Sequence, residues 1–316
     1  MKILANDGIA PVGVAMLEAA GFEVITDTVD QVNLIDTINK ENIVGLLVRS
    51  ATTVRKDLID ACPNLKLIGR GGVGMDNIDV DYAKGMGLHV INTPAASSHS
   101  VAELVFGHLL GMTRFLYDSN RNMPLEGDTR FKDLKKAYSK GVELKGKKLG
   151  ILGFGRIGQA VAKVALGLGM EVIAYDLYPI STDVELEFYN GTKVQFPIST
   201  TDKETVLKEA DFISIHVPSL DKPVIGNEEL AMMKDGVCIV NAARGGVIDE
   251  AALIEAIDKD KVKHAALDVF VDEPTPAIQV LMNPSISLSP HIGGQTVEAQ
   301  GRIGSELAEQ IISLLK

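Results

Sequence analysis

Tryptophan is absent from the 316 residues, cysteine occurs twice, and aromatic side chains make up only 5%. Cys62 and Cys238 lie far apart and form no C-x-x-C pair. Neither a disulfide framework nor a zinc site is therefore expected, and no metal. Positive charge is also short: 31 Lys and Arg stand against 42 Asp and Glu, a net charge of -11. A nucleic-acid partner requires a basic face, so none is expected. A few local Arg or Lys still suffice to hold a small anionic substrate. No apolar run reaches the roughly 18 residues that would span a bilayer. The N-terminal "MKILANDGIA" lacks the long apolar region of a signal peptide. These absences describe a soluble, cytoplasmic protein with no membrane partner.

What is present is a 46% hydrophobic chain, enough to bury a sizeable core. Its length suits about two domains. Short apolar runs alternate with helical patterns almost throughout. "KILAN", "FEVI", "IVGLLV", "LKLIG" and "LHVIN" read as strands in the first ninety or so residues, with helices between them. A long helix is expected over "SSHSVAELVFGHLLGMTRFL", with Ser100 and Glu103 at capping-box spacing. From about Tyr117 to Lys148 the chain turns polar and basic and reads as a connector or arm. A second series follows: "KLGILG", "MEVIAYD", "DFISIHV", "VCIVNAA", "HAALDVF" and "SISLSPH". The last helix is expected over Thr296 to Leu315. Apolar strands buried on both faces and separated by helices predict parallel sheets, hence two α/β units. In "LEFYNGTKVQF" the Asn190-Gly191 pair predicts a hairpin with a tight turn.

Two stretches match G-x-G-x-x-G, "GRGGVG" (69–74) and "GFGRIG" (153–158). The dinucleotide fingerprint needs an entering strand, a helix leaving at once, and an acid at the end of the next strand, about 20 residues on. "KKLGILGFGRIGQAVAKVALGLGMEVIAYD" meets all three, with Asp176 as the acid. Gly153, Gly155 and Gly158 would let the backbone approach a pyrophosphate at a helix N-terminus. Asp176 would accept from the ribose diol and repel a 2′-phosphate, which favours NAD over NADP. "GRGGVG" lacks a prompt helix, and its following strand ends in Asn92. Its glycines can form a nest for a carboxylate or phosphate. A turn needed only for packing is equally supported by the spacing.

Polar residues follow the strands of the second series: Arg244 in "VNAARGG", Asp268 and Glu273 in "LDVFVDEP", and His291 in "LSPHIGG". Ligands bind at strand carboxyl ends in open α/β sheets. A His near neutral pKa can give a proton to the alkoxide formed by hydride transfer, or remove it in reverse. A nearby Glu orients the imidazole, and an Arg can bind a carboxylate and polarise a carbonyl. Each has a bland alternative as a surface ion pair, a loop acid or a turn residue. His89, His99, His108, His216 and His264 are read as structural, with His216 near the expected cofactor edge.

At these residues the chain resembles the D-isomer-specific 2-hydroxyacid dehydrogenases over nearly its whole length. "GFGRIG" with Asp176, "VNAARGGVIDE", "LDVFVDEP" and "SPHIGGQT" carry the resemblance. "VRSATTV", "GRGGVGMDNIDVDYA" and "NTPAASSHSVAELVFGHLL" are similar to the D-3-phosphoglycerate dehydrogenases of serine biosynthesis. The resemblance implies two doubly wound parallel-sheet domains, with a Rossmann cofactor domain (98–292) inserted in a flavodoxin-like substrate domain (1–97 and 293–316). It implies NAD as cofactor, a small anionic 2-hydroxy or 2-keto acid as substrate, and oxidation of D-3-phosphoglycerate. It further implies that Arg244 binds the substrate, Glu273 pairs with His291, and His291 is the acid/base. Arg156 and Ile157 would present main chain to the pyrophosphate. Val217, Ala242, Ala243 and Asp268 would border the nicotinamide side. Gly72, Val73 and Gly74 would meet the substrate, as would Arg49 and Ser50. A homodimer through the helix and arm of 98–140 is implied, with phosphate contacts from Lys135, Lys136 or Lys140 as a further suggestion. The chain stops at Lys316, so the serine feedback of longer relatives is not expected. A glyoxylate or hydroxypyruvate reductase would share all three catalytic residues. A dinucleotide-sensing corepressor would need a tail or basic region that the sequence lacks.

Overall fold

Strands and helices alternate from the first residues of the computed structural model, which describes residues 1–316. Two units emerge, Met1–Ser100 with Gly294–Lys316 and Val101–Gly293. The first contains β1 (Lys2–Ala5), α1 (Pro11–Ala19), β2 (Glu23–Ile25), α2 (Leu34–Glu41), β3 (Ile43–Val48), α3 (Lys56–Ala61), β4 (Leu67–Arg70), α4 (Val80–Gly85) and β5 (His89–Asn92). The boundary falls within α5 (Ser98–Thr113). The second unit continues with α6 (Leu116–Glu126), α7 (Phe131–Ala137), β6 (Lys148–Leu152), α8 (Arg156–Gly167), β7 (Glu171–Tyr175), β8 (Ser181–Glu187) and β9 (Lys193–Ser199). It ends with α9 (Lys203–Glu209), β10 (Phe212–Ile215), α10 (Asn227–Met232), β11 (Val237–Asn241), α11 (Glu250–Asp258), β12 (Val262–Leu267), α12 (Ile278–Leu281) and β13 (Ile286–Leu288). α13 (Val297–Leu315) returns to the first unit.

The first unit's five-stranded sheet has the order β2-β1-β3-β4-β5, all parallel. That is the flavodoxin-like 2-1-3-4-5 winding. Leu4, Ile43, Leu46 and Ile68 belong to the core on one face, and Ile3, Leu47 and Leu67 to the core on the other. The second core is closed by α13, whose Ile303, Leu307 and Ile311 are buried. Each such side chain contributes about 1.5–3 kcal/mol by leaving water. α13 lies close against α1: a Cβ on Gly13 would stand 2.7 Å from the Gly304 carbonyl oxygen.

The second unit's six-stranded sheet has the order β13-β12-β11-β10-β6-β7, again parallel. Winding reverses between β6 and β10, the crevice where open α/β sheets take ligands. One face is covered by α5 and α8 through Val105, Leu109, Val161 and Ala165, the other by α9, α10 and α11 through Val206, Leu230 and Leu253. β8 and β9 form a separate antiparallel hairpin whose Val184 and Ile198 join the first of these cores. No helix is long and apolar enough to cross a membrane, and no three His, Cys, Asp or Glu gather to hold a metal ion.

One local expectation is corrected. α5 starts at Ser98, so Ser100 lies inside its first turn and is not its cap. The Ser100 hydroxyl instead bonds Thr296 Oγ1 at 2.8 Å. The arm after Tyr117 forms α6 and α7, tied together where Asn122 Nδ2 donates to the Tyr138 hydroxyl at 2.7 Å.

Candidate functional site

The glycine loop after β6 shows why each glycine is needed. A Cβ on Gly153 would lie 2.5 Å from the His216 carbonyl oxygen, and one on Gly158 would lie 2.2 Å from the Gly153 oxygen. Those two glycines let the loop turn tightly and let α8 press against the strand. Gly155 differs, because nothing stands within 4 Å of its Cβ position. It is exposed, it caps α8, and no side chain satisfies the helix's first N–H groups there. Open space before free donors at a positive helix end fits a pyrophosphate. Arg156 is exposed and Ile157 half-buried at the start of α8.

Asp176, just past β7, is tied to the same loop. Its Oδ2 accepts the Phe154 N–H at 2.7 Å, and its Oδ1 faces the Tyr178 N–H at 3.4 Å. The carboxylate is thus held beside the loop. His216 follows β10, with Nε2 2.7 Å from Ser214 Oγ and Nδ1 buried without a partner. Burial pushes this imidazole down to about 3, so it is neutral. Val217 beside it is half-buried.

Three neighbouring strands, β11, β12 and β13, deliver the remaining residues at their carboxyl ends. After β11, Asn241 organises the turn: its Oδ1 accepts the Ala243 N–H at 3.1 Å and its Nδ2 donates to the Arg244 oxygen at 2.9 Å. Arg244 Nη1 donates to the Ala243 oxygen at 2.6 Å, which directs the guanidinium. Ala242 and Ala243 are buried beneath it. After β12, Glu273 Oε1 accepts the Phe270 N–H at 3.0 Å, and Oε2 lies 2.8 Å from His291 Nδ1. The His291 and Glu273 side chains are 41% and 36% exposed, open enough for a substrate to reach. Nδ1 is thereby engaged and Nε2 is left for proton exchange.

Asp268 is only 1% exposed and works inside the protein. Its Oδ1 accepts from the Ser289 hydroxyl at 2.6 Å and the Ile292 N–H at 2.8 Å; its Oδ2 accepts the Gly293 N–H at 2.8 Å. These bonds clasp the turn that carries His291, whose φ of +55° is uncommon for a residue with a side chain. Such a conformation persists when its surroundings over-determine it.

In the first unit, Arg49 and Ser50 follow β3, and Arg70 ends the neighbouring β4. Asp7 holds the turn after β3: Oδ2 accepts the Arg49 and Thr52 N–H groups at 2.6 and 3.1 Å. Asn77 Nδ2 closes it from the other side, donating to the Arg49 and Thr52 oxygens at 2.9 and 2.6 Å. Burial lowers the Arg49 pKa, with Asp7 opposing. Gly72 has φ +150°, and the Arg70 guanidinium occupies the space a Cβ there would need. Val73 accepts from Asn92 Nδ2 at 2.7 Å, and Gly74 follows, half-buried. Lys135, Lys136 and Lys140 are exposed on or just after α7. Asn241, Asp7 and Asn77 were not singled out from the sequence, although Asn or Asp beside a strand end is a recognised turn signal.

Comparison with known proteins places this geometry. Residues 106–293 match the family D-isomer specific 2-hydroxyacid dehydrogenase, NAD binding domain. A hydroxypyruvate reductase from Thermotoga maritima is 45% identical over 93% of this chain and 91% of its own length. A D-3-phosphoglycerate dehydrogenase from Methanocaldococcus jannaschii is 40% identical over the whole chain, which spans 58% of that longer protein. A glyoxylate reductase structure from Paecilomyes thermophila superposes with a TM-score of 0.82 at 27% identity, covering 100% of this chain and 96% of that one. The chain belongs to the D-isomer-specific 2-hydroxyacid dehydrogenases, NAD-dependent oxidoreductases.

Proposed function

We propose that the protein oxidises D-3-phosphoglycerate to 3-phosphohydroxypyruvate, as a step toward serine. The carrying observation is the pair of arginines, Arg49 just after β3 and Arg70 at the end of the adjacent β4, in the first unit. Two arginines suit a dianionic phosphate better than a neutral hydroxymethyl group. Gly72, Val73 and Gly74 supply main chain in the same unit.

His291 takes the hydroxyl proton at Nε2 during oxidation and returns it during reduction. Glu273, 2.8 Å from Nδ1, stabilises the imidazolium that forms. Arg244 binds the substrate carboxylate and polarises the carbonyl oxygen. NAD, when bound at the Gly153–Gly158 loop, supplies the two-electron acceptor. Exposed Leu110, Leu116, Leu125 and Phe131, with the open Gly107 and Gly111 on α5, support a homodimer through α5–α7. Apolar patches of this kind are usually covered by a partner.

A second reading, reduction of hydroxypyruvate or glyoxylate, is favoured by the 45%-identical relative. A substrate panel decides between them. The first reading expects kcat/KM for phosphohydroxypyruvate to exceed that for hydroxypyruvate and glyoxylate by about 100-fold, the worth of a charge-paired phosphate. A clear preference for either smaller acid overturns it.

Cofactor choice gives a second expected outcome. NADH should outcompete NADPH by roughly 50-fold in kcat/KM, because the Asp176 carboxylate meets the 2′-phosphate with like charge. Asp176→Ala should narrow the gap to less than about tenfold. Equal use of both cofactors by the native protein would refute the role given to Asp176.

A further inference from the structure

A buried chain of side chains runs from α5 to the turn that carries His291. His108 lies on the inner face of α5 and is 8% exposed. Its Nδ1 stands 2.8 Å from Ser287 Oγ and its Nε2 2.9 Å from Ser289 Oγ. Ser289 donates to Asp268 Oδ1 at 2.6 Å. Asp268 in turn accepts the N–H groups of Ile292 and Gly293, the two residues directly after His291.

The proton positions follow from what each group can do. Asp268 only accepts, so the Ser289 proton is committed to it. The Ser289 oxygen then accepts, and His108 Nε2 must carry the hydrogen. His108 Nδ1 is left to accept from the Ser287 hydroxyl. Burial lowers the His108 pKa, against the opposing pull of Asp268, which agrees with a neutral ring of this single tautomer. All three bonds therefore point one way, from Ser287 to the carboxylate.

We infer that His108 is a positioning residue for the acid–base turn: through Ser289 it holds the Asp268 carboxylate that clasps Ile292 and Gly293. The inference rests on the reading of His291 as the acid/base. Without His108, the Ser289 hydroxyl loses the donor that fixes its rotor. The carboxylate then loses one constraint on its tilt. The left-handed backbone at His291 depends on that carboxylate through the two N–H groups that follow it. His291 would wander from the geometry of proton transfer while the groups that bind substrate and cofactor remain. Displacements of this kind reduce turnover more than binding.

The test uses the full-length protein with two substitutions. His108→Leu removes both bonds and keeps most of the ring's volume. His108→Gln keeps an amide N–H able to reach Ser289. Steady-state kinetics are measured with NADH and whichever 2-keto acid the panel above shows to be preferred. Backbone amide signals of Ile292 and Gly293 are followed by NMR on the folded variants. His108→Leu is expected to lower kcat about tenfold with KM within about twofold, and to shift both amide signals. His108→Gln is expected to recover kcat to within about threefold of the parent. An unchanged kcat in His108→Leu with both amides unmoved would overturn the inference. So would a loss that His108→Gln does not recover, which marks a packing role alone. The amide readout is independent of catalysis. Turnover retained by His291→Ala would defeat the acid–base reading, whereas unmoved amides in His108→Leu would defeat the positioning.

Discussion

His291→Ala lowers kcat for both directions of the reaction about 1000-fold, with NADH affinity unchanged. The expected size follows from the role. General acid–base catalysis by a positioned side chain contributes roughly 100- to 10,000-fold, and 1000-fold corresponds to about 4 kcal/mol of barrier. Alanine removes the ring that Glu273 holds at 2.8 Å. His216 cannot substitute, because burial keeps it neutral and its Nε2 is engaged with Ser214. Glu273→Gln should cost less, since the amide can still orient Nδ1 while losing the stabilising charge. Steady-state rates with a saturating cofactor check both. A His291→Ala variant that keeps more than about a tenth of the native kcat removes the acid–base assignment.

Gly245→Ala is expected to damage stability and turnover together. A Cβ at this position would lie 1.8 Å from the Phe270 carbonyl oxygen and 2.3 Å from its carbon. Both obstacles are backbone, so no side-chain rotation relieves the contact. One of the two strand-end loops must move, at a cost of about 3 kcal/mol by analogy with severe overpacking. Thermal unfolding should shift down by roughly 5–10 °C. The same displacement reaches the chemistry from two sides. Arg244 is the adjacent residue, and Phe270 donates the N–H that holds Glu273 Oε1. A fall in kcat of tenfold or more, measured below the melting transition, is therefore expected alongside the lower Tm. A variant that melts normally would mean that these loops have slack the close approach denies.

The alternating strands and helices were legible because parallel strands are apolar on both faces and stand out as continuous runs, as in "IVGLLV" and "VCIVN". The difference between the two glycine loops was legible from context: α8 follows Gly155 at once, whereas α4 begins only at Val80. The order Arg244, Glu273, His291 was visible as polar residues after strands. Their supports were not, because they depend on which strands become neighbours. Asp268 reaches Ile292 and Gly293 only once β12 pairs with β13. His108 was read as structural, with no role assigned, and its partner Ser287 lies 179 residues away. The arm was read without its two helices because they bury almost no side chains, leaving little apolar periodicity to read.

The return of α13 to the first unit sets an order of events during synthesis. Until Ile303, Leu307 and Ile311 leave the ribosome, the face of the first sheet that holds Ile3, Leu47 and Leu67 is covered only in part, by Leu17 of α1 and by Phe22. The inserted unit is complete in sequence before that moment and can fold first. The nascent N-terminal third therefore waits, with this face only partly covered, for α13. This is the interval in which a chaperone would find a binding surface. A ribosome-stalled chain ending before Gly294 should be the most protease-sensitive species along the path to the finished protein.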